Sequence, residues 1–237
     1  MSLPKSLVPT YEMTLPSSGQ VIEYRPFLVK DEKVLLMAME GNDVKEMVKA
    51  LKQLIETCSL TKIDVNKLSL IDLEYFFIKV RSKSVDNISK LSYRCKNTVE
   101  EKECGNIVNI NVNLDDIEVT KSKDYTDIIM LTTDVGLKMK MPNVQSLNHF
   151  NTQEASFDEQ MNVIASSVDS IFDKDNVYSD FSLKEIVEYL GNLTQKQFTE
   201  IKKFFDNLPK IKHEVPFHCN KCGHKELLVL EGIQSFF

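Results

Sequence analysis

The chain has 237 residues, of which 42% are hydrophobic and 27% are charged. These fractions are typical of a soluble globular protein with a sizeable core, and the length fits one large domain or two small ones. The 29 lysines and arginines are outnumbered by 35 acidic residues, which gives a net charge of −6. This balance disfavours proteins that bind nucleic acid through its phosphates, because they need a basic face.

The N-terminal residues do not have the pattern of a signal peptide. Pro4 and Pro9 stand where such a peptide would need an apolar helix. The apolar runs elsewhere in the chain are too short to span a membrane. We therefore expect a protein that folds in a reducing cytoplasm, where cysteines serve as thiols or metal ligands more often than as disulfides.

The first third of the chain is expected to begin extended and to continue with helices. Residues 1–42 predict an extended, proline-punctuated segment with two strands, 11–15 and 21–27, joined by a Pro-Ser-Ser-Gly turn. Residues 43–86 predict a pair of amphipathic helices, because their apolar side chains recur every three or four residues.

The middle of the chain, residues 87–142, predicts strands, because apolar residues there alternate with polar ones. The pattern favours a hairpin that carries Cys95 and Cys104 at its two feet. The polar loop KNTVEEKE would form the tip of this hairpin. Further strands are expected near residues 117–120, 128–132 and 137–141.

The last third begins with a predicted helical part, residues 143–212. Helical spacing continues from Phe157 through Ile171, and two further helices are predicted, one opened by a capping box at Ser182 and one by Thr194. Residues 213–237 contain a CxxC turn and a final strand. The whole pattern predicts an α+β fold: a small β-hairpin knot of four cysteines like a zinc ribbon, a mainly helical remainder and an extended N-terminal segment.

The most chemically specific feature is the pair Cys219 and Cys222, which is followed by Gly223. In a zinc knuckle, two thiolates separated by two residues bind one ion, and the glycine lets the backbone reverse. Cys95 and Cys104 supply a second pair, and Cys104 is also followed by glycine. We predict that these four cysteines bind one structural Zn²⁺ in a closed tetrahedral site.

Other interpretations of the cysteines stay open at this point. The eight residues between Cys95 and Cys104 exceed the usual spacing in a knuckle. The cysteines could instead be buried thiols, a redox CxxC or the ligands of an iron–sulfur cluster. His218 and His224 flank the CxxC and could replace a thiolate, although such histidines more often lie outside the ligand set. Cys58 is expected to be packed at a helix end.

No catalytic or nucleotide-binding motif occurs in the sequence. It contains no HExxH, no Gly-rich phosphate loop, no GxSxG elbow and no dinucleotide fingerprint. A zinc site filled by four cysteines has no open position for a reacting water. We therefore expect that the protein is not an enzyme.

Several segments together point to a known family: residues 11–19 (YEMTLPSSG), 24–33 (YRPFLVKDEK), 35–40 (LLMAME), 72–84 (DLEYFFIKVRSKS) and 136–142 (GLKMKMP), with the hairpin of Cys95 and Cys104, the helical section and the terminal CxxC. This set resembles the T4-type bacteriophage baseplate hub family. The resemblance extends over most of the chain, and RPFLVK and DLEYFF are its most specific parts.

The resemblance implies a structural component of the central hub of a contractile-tail baseplate, or an assembly factor for it, without catalytic residues. Its partners would be other hub and tail proteins, with no nucleic acid. It would be located in the host cytoplasm during assembly or in the virion tail. Residues 1–30 would either add a strand to a neighbouring subunit or form an ordinary sheet within this chain.

Two other functions compete with this one. The first is a zinc-ribbon module that binds nucleic acid or takes part in transcription, for which four-cysteine hairpins are a common scaffold. The acidic loop KNTVEEKE disfavours it, because such a module needs a basic surface. The second is a redox protein, which would require a reactive CxxC thiolate and no metal.

Overall fold

A computed structural model describes residues 7–33, 44–149, 156–232 and 235, so the predicted segment 1–42 lies only partly within the described residues. The structure mixes helices with several small sheets, which confirms the predicted α+β class. The chain divides into two compact units. Unit 1 consists of Met1–Ile63, Ile71–Thr120 and Lys210–Phe237, and unit 2 of Asp64–Leu70 and Lys121–Pro209.

The described helices are α1 (Val44–Cys58), α2 (Leu70–Ser84), α3 (Phe157–Ser166), α4 (Leu183–Gly191) and α5 (Gln195–Asp206). The strands are β1 (Tyr11–Thr14), β2 (Val21–Tyr24), β3 (Ile88–Arg94), β4 (Thr98–Val99), β5 (Lys102–Glu103), β6 (Ile107–Asn113), β7 (Val119–Thr120), β8 (Ile128–Met130), β9 (Gly136–Met139), β10 (Val168–Phe172), β11 (Val177–Tyr178), β12 (Lys210–His218) and β13 (Lys225–Glu231). Within the described ranges, no helix combines the length and apolar character that crossing a bilayer requires.

Helices α4 and α5 begin where their capping residues predict. Ser182 and Glu185 form a reciprocal capping box at the start of α4. Thr194 and Gln197 form another at the start of α5. Each box satisfies backbone N–H groups that have no partner within the first helical turn.

The helix predicted from Phe157 through Ile171 is too long. Helix α3 ends at Ser166, and Val168 and Ile171 lie in strand β10. Strand β10 pairs antiparallel with β9, with Ile171 opposite Leu137. The spacing of Val168 and Ile171 along the sequence also fits a helix. It could not reveal the strand, because the strand depends on pairing with residues far away in the sequence.

In unit 1, the two predicted N-terminal strands pair with each other. Strands β1 and β2 form an antiparallel hairpin from Tyr11↔Tyr24 to Thr14↔Val21. Tyr24 is buried, and its ring lies 5.9 Å from that of Phe76 in α2. Described residues 11–24 therefore form a hairpin within this chain.

Two β-ribbons of unit 1 carry the cysteines. Strands β3 and β6 pair from Ile88↔Asn113 to Arg94↔Ile107, so the loop between them begins at Cys95. Strands β12 and β13 pair from Lys212↔Glu231 to His218↔Lys225, and β7 extends this sheet on the other side of β12.

Unit 2 has a core of its own around a four-stranded sheet in the order β11-β10-β9-β8. Buried residues in and next to this sheet form one cluster with buried residues of α3, α4 and α5, namely Ile129, Leu131, Leu137, Met139, Met161, Ile164, Ala165, Val168, Ile186, Leu190, Ile201 and Phe204. A Cβ at Gly136 in β9 would lie 2.3 Å from a ring carbon of Phe172, so a larger residue there would force that ring to move.

Candidate metal centre

The first cysteine pair lies at the base of a small hairpin within the β3–β6 loop. Strands β4 and β5 pair with each other, and the turn between them places Glu100 and Glu101 at positive φ. The Cys104 N–H donates to Asn97 O at 2.7 Å, which closes the base of this hairpin. The long spacing between Cys95 and Cys104 is thereby taken up by two extra strands, and the two cysteines stay adjacent.

The second pair lies in the tight turn between β12 and β13. The Cys219 N–H donates to His224 O at 2.8 Å, and the Gly223 N–H donates to Cys219 O at 2.9 Å. Gly223 has a φ of +73°, and Gly105, which follows Cys104, has a φ of +63°. Glycine adopts this left-handed conformation without steric cost, so both turns favour the glycine that follows the cysteine.

The four predicted cysteines meet in unit 1. The Sγ atoms of Cys95, Cys104, Cys219 and Cys222 all lie within 4.8 Å of one another. Cys95 Sγ lies 3.7 Å from Cys222 Sγ, and Cys104 Sγ lies 3.8 Å from Cys219 Sγ. A disulfide would require about 2.05 Å. A tetrahedron of sulfurs around zinc, each roughly 2.3 Å from the ion, has edges of about 3.8 Å, which both measured distances match.

Backbone N–H groups of both turns favour the thiolate forms of the cysteines. The backbone of Asn97 acts to lower the pKa of Cys95, and that of Asn106 acts to lower the pKa of Cys104. In the other turn, the backbone N–H groups of Cys222 and Lys221 act to lower the pKa of Cys219. Such donors stabilise thiolates, which are the form that binds a metal.

The asparagine side chains of the first turn contact the sulfurs of the second. Asn97 Nδ2 lies 3.6 Å from Cys222 Sγ. Asn106 Nδ2 lies 3.5 Å from Cys219 Sγ and donates to Asn220 Oδ1 at 2.9 Å. Each asparagine therefore supports one sulfur through its backbone and another through its side chain. For the backbone contacts alone, the sequence holds a local signal that our prediction missed, since Cys-x-Asn occurs at both Cys95 and Cys104.

The surroundings of the thiols shift the pKa values of Cys95 and Cys219 in opposite directions. Burial raises the pKa of Cys95 to about 12. The backbone N–H of Cys222 is the main cause that lowers the pKa of Cys219 to about 6. A cation among the four sulfurs would favour the thiolate form of every one of them.

An apolar layer supports the cluster from one side. Cys95, Cys219 and Phe217 are buried, and the Phe217 ring contacts Tyr93 edge-on with the centroids 5.1 Å apart. Leu228 completes the buried part of this core. The layer fixes the β12–β13 hairpin against the β3–β6 ribbon, and with it the positions of the two cysteine pairs.

The histidines lie outside the sulfur cluster. Among the described residues, the candidate metal group consists of the four cysteines, and neither His218 nor His224 belongs to it. His218 is exposed, whereas His224 Nε2 lies 3.8 Å from Glu226. Cys58 is fully buried at the end of α1, where burial raises the pKa of its thiol to about 11.

The surface around the cluster carries charges of both signs. The first turn holds Lys96 and Lys102 together with Glu100, Glu101 and Glu103, and these side chains are exposed.

Chemically, this arrangement suits a closed structural site. Four sulfur ligands with tetrahedral spacing fit Zn²⁺ or iron, and they fill every position of a four-coordinate ion.

A family model described as T4 bacteriophage base plate protein matches residues 8–237 of the chain. The chain belongs to this family. As a member, it has a structural role in the baseplate of a phage tail. No curated protein and no solved structure matches the chain.

Proposed function

We propose that this baseplate protein is a structural component of the central hub, or an assembly factor for it, and that a structural zinc ion stabilises its fold. Within the baseplate, its partners are other hub and tail proteins. It folds in the host cytoplasm and joins the hub as the tail is assembled. The family membership over residues 8–237 supports the baseplate role, and the resemblance to hub proteins supports the finer assignment.

The single observation that carries the zinc proposal is the meeting of four sulfurs from two distant parts of the chain. The cysteines of the β3–β6 loop lie more than one hundred residues before those of the β12–β13 turn, since Cys104 and Cys219 differ by 115 positions. A metal that bridges them ties both ribbons together. Because such a site cannot form in the unfolded chain, the free energy of metal binding contributes directly to folding.

A hub role requires a shape that stays fixed while other subunits assemble on it. A closed site with four sulfur ligands offers no open position for substrate, so its effect is mechanical. It fixes the ends of the β3–β6 and β12–β13 ribbons without the need for a larger sheet.

The hub assignment is tested with a phage that lacks the gene, complemented by this chain. Mass spectrometry of purified particles and of baseplate intermediates is combined with electron microscopy of the tails. A structural component is found in the particles, whereas an assembly factor is absent from particles but required for hubs to form. Normal hubs without the chain, together with its absence from particles, would contradict both forms of the proposal.

The link between zinc and this role is tested in the same assay with two cysteine variants. Cys95→Ser removes a candidate ligand, whereas Cys58→Ala changes a buried cysteine outside the cluster. We expect that Cys58→Ala restores hub formation and that Cys95→Ser does not. Equal restoration by both variants would contradict a role for the metal.

A further inference from the structure

Strand β13 forms one edge of its sheet. Among the described residues, the sheet has the order β13-β12-β7, so no strand pairs with the outer side of β13. The pairing of β13 with β12 runs from Lys225 to Glu231 without a bulge. A long regular edge of this kind presents backbone donors and acceptors to another strand.

Pro216 of β12 identifies the residues whose backbone groups face outward. It lies opposite Leu227 and has no N–H, so this pair is of the non-hydrogen-bonded type. The bonds from Cys219 N to His224 O and from Gly232 N to Ile211 O agree with this alternation. The N–H and C=O groups of Lys225, Leu227, Val229 and Glu231 therefore point away from β12.

Lys225, Leu227, Val229 and Glu231, whose backbone groups point to the open edge, also have their side chains on one face of β13. This face has an apolar centre and charged ends. Leu227 is 55% exposed and Val229 is 50% exposed, and the exposed Pro216 lies beside them on β12. Lys225 and Glu231 lie at the two ends of the same face. Proteins usually blunt an exposed edge with a bulge, a proline or an inward charge, and the centre of β13 has none of these.

The sequence of β13 is complementary to itself when two copies pair antiparallel about Leu228. In that register Lys225 faces Glu231 of the second copy, and Leu227 faces Val229. Glu226 faces Leu230, so no like charges are opposed. A shift of two residues in either direction would place Val229 opposite Lys225, or Leu227 opposite Glu231, and would lose both Lys225–Glu231 pairs.

We propose that β13 is a dimerisation edge, at which a second copy of this chain pairs antiparallel about a two-fold axis at Leu228. The two three-stranded sheets then form one continuous sheet. The two-fold axis repeats every contact, so each dimer contains two Lys225–Glu231 pairs and two Leu227–Val229 pairs.

Two details of the edge bear on this pairing. Lys210 Nζ lies 3.0 Å from Glu231 and holds that carboxylate at the end of the face, where its side chain remains half exposed. Ser235 Oγ donates to Glu231 O at 2.6 Å. A carbonyl oxygen has two lone pairs, so it still accepts one bond from the partner strand.

The test is the oligomeric state of the full-length chain, measured by sedimentation velocity over a concentration series. A single strand pair buries less than the roughly 1,200–2,000 Å² of a standard interface, so we expect a dissociation constant in the micromolar range. Val229→Lys places a charge opposite Leu227 of the second copy at both symmetric positions, and we expect it to weaken the dimer at least tenfold. The matched control is Val21→Lys, which changes a valine of similar exposure, 56%, on strand β2 and should leave the dimer unchanged.

A charge exchange tests the register. Lys225→Glu puts two acidic residues opposite each other, and Glu231→Lys puts two basic residues opposite each other, so each variant alone should dimerise less than the wild type. A mixture of the two restores both pairs and should form heterodimers. A monomeric wild type, a dimer unaffected by Val229→Lys, or a mixture that fails to associate would each overturn the proposal.

Discussion

The side-chain amide of Asn106 lies 3.5 Å from Cys219 Sγ and so joins two turns that are 113 residues apart in the chain. Asn97 makes the corresponding contact with Cys222 Sγ at 3.6 Å. Hydrogen bonds to metal-bound thiolates orient the ligands and stabilise their charge, so these amides are part of the candidate site.

Asn106→Ala should therefore weaken metal binding without removing a ligand. We expect a loss of affinity of about 10–100-fold, the usual effect of removing an outer-shell partner. The measurement is competition with a chromogenic chelator. The control is Asn111→Ala, which changes an exposed asparagine of the same strand ribbon. Equal metal affinity in both variants would show that the amide contact has no role.

Glu74 should make stability depend on pH. Burial, followed by repulsion from Glu231, raises its pKa from 4.5 to about 7. Because the folded state has the higher pKa, the stabilisation from this group is complete below pH 4.5 and is lost as the pH rises through 7.

Glu74→Gln removes this dependence and should be more stable than the wild type above neutral pH. The gain in unfolding free energy is at most roughly 3 kcal/mol, and it should shrink as the pH falls. Thermal unfolding at several pH values measures it, with Glu23→Gln, an exposed carboxylate on β2, as control. A stability difference that does not change with pH would contradict the assigned pKa.

The contact between Ser17 and Asp72 should fix the β1–β2 turn to the start of α2. Ser17 N donates to Asp72 Oδ1 at 2.9 Å, and Ser17 Oγ donates to Asp72 Oδ2. Asp72 is only 2% exposed, so Asp72→Ala removes both bonds together with a buried side chain and should cost about 1–3 kcal/mol.

Ser17→Ala removes one of these bonds and should cost about 1 kcal/mol. The neighbouring Ser18→Ala changes an exposed residue and should stay within about 0.5 kcal/mol of the wild type. Urea unfolding compares the three variants. If Ser17→Ala and Ser18→Ala had the same stability, the contact would not anchor the turn.

Local signals in the sequence were sufficient for much of the fold. The capping pairs Ser182–Glu185 and Thr194–Gln197 act within one helical turn, so they mark the helix starts directly. The alternation on both sides of Cys95 and Cys104 likewise predicts the β3–β6 hairpin. By contrast, Val168 and Ile171 fit helical spacing but belong to β10, because their pairing with β9 depends on residues about thirty positions away.

For the candidate site, the sequence indicated which cysteines to group but not how they are supported. The paired spacing and the two glycines point to Cys95, Cys104, Cys219 and Cys222. The side-chain contacts of Asn97 and Asn106 cross between the two turns, and only the folded arrangement reveals them.

The most direct test of the central claim is the metal content of the purified full-length chain, measured by elemental analysis with native mass spectrometry. We predict about one zinc ion per chain in the wild type and in Cys58→Ala, and almost none in Cys95→Ser, because a closed tetrahedral site needs all four thiolates. A zinc content near zero in the wild type, or zinc that persists in Cys95→Ser, would contradict the four-cysteine site.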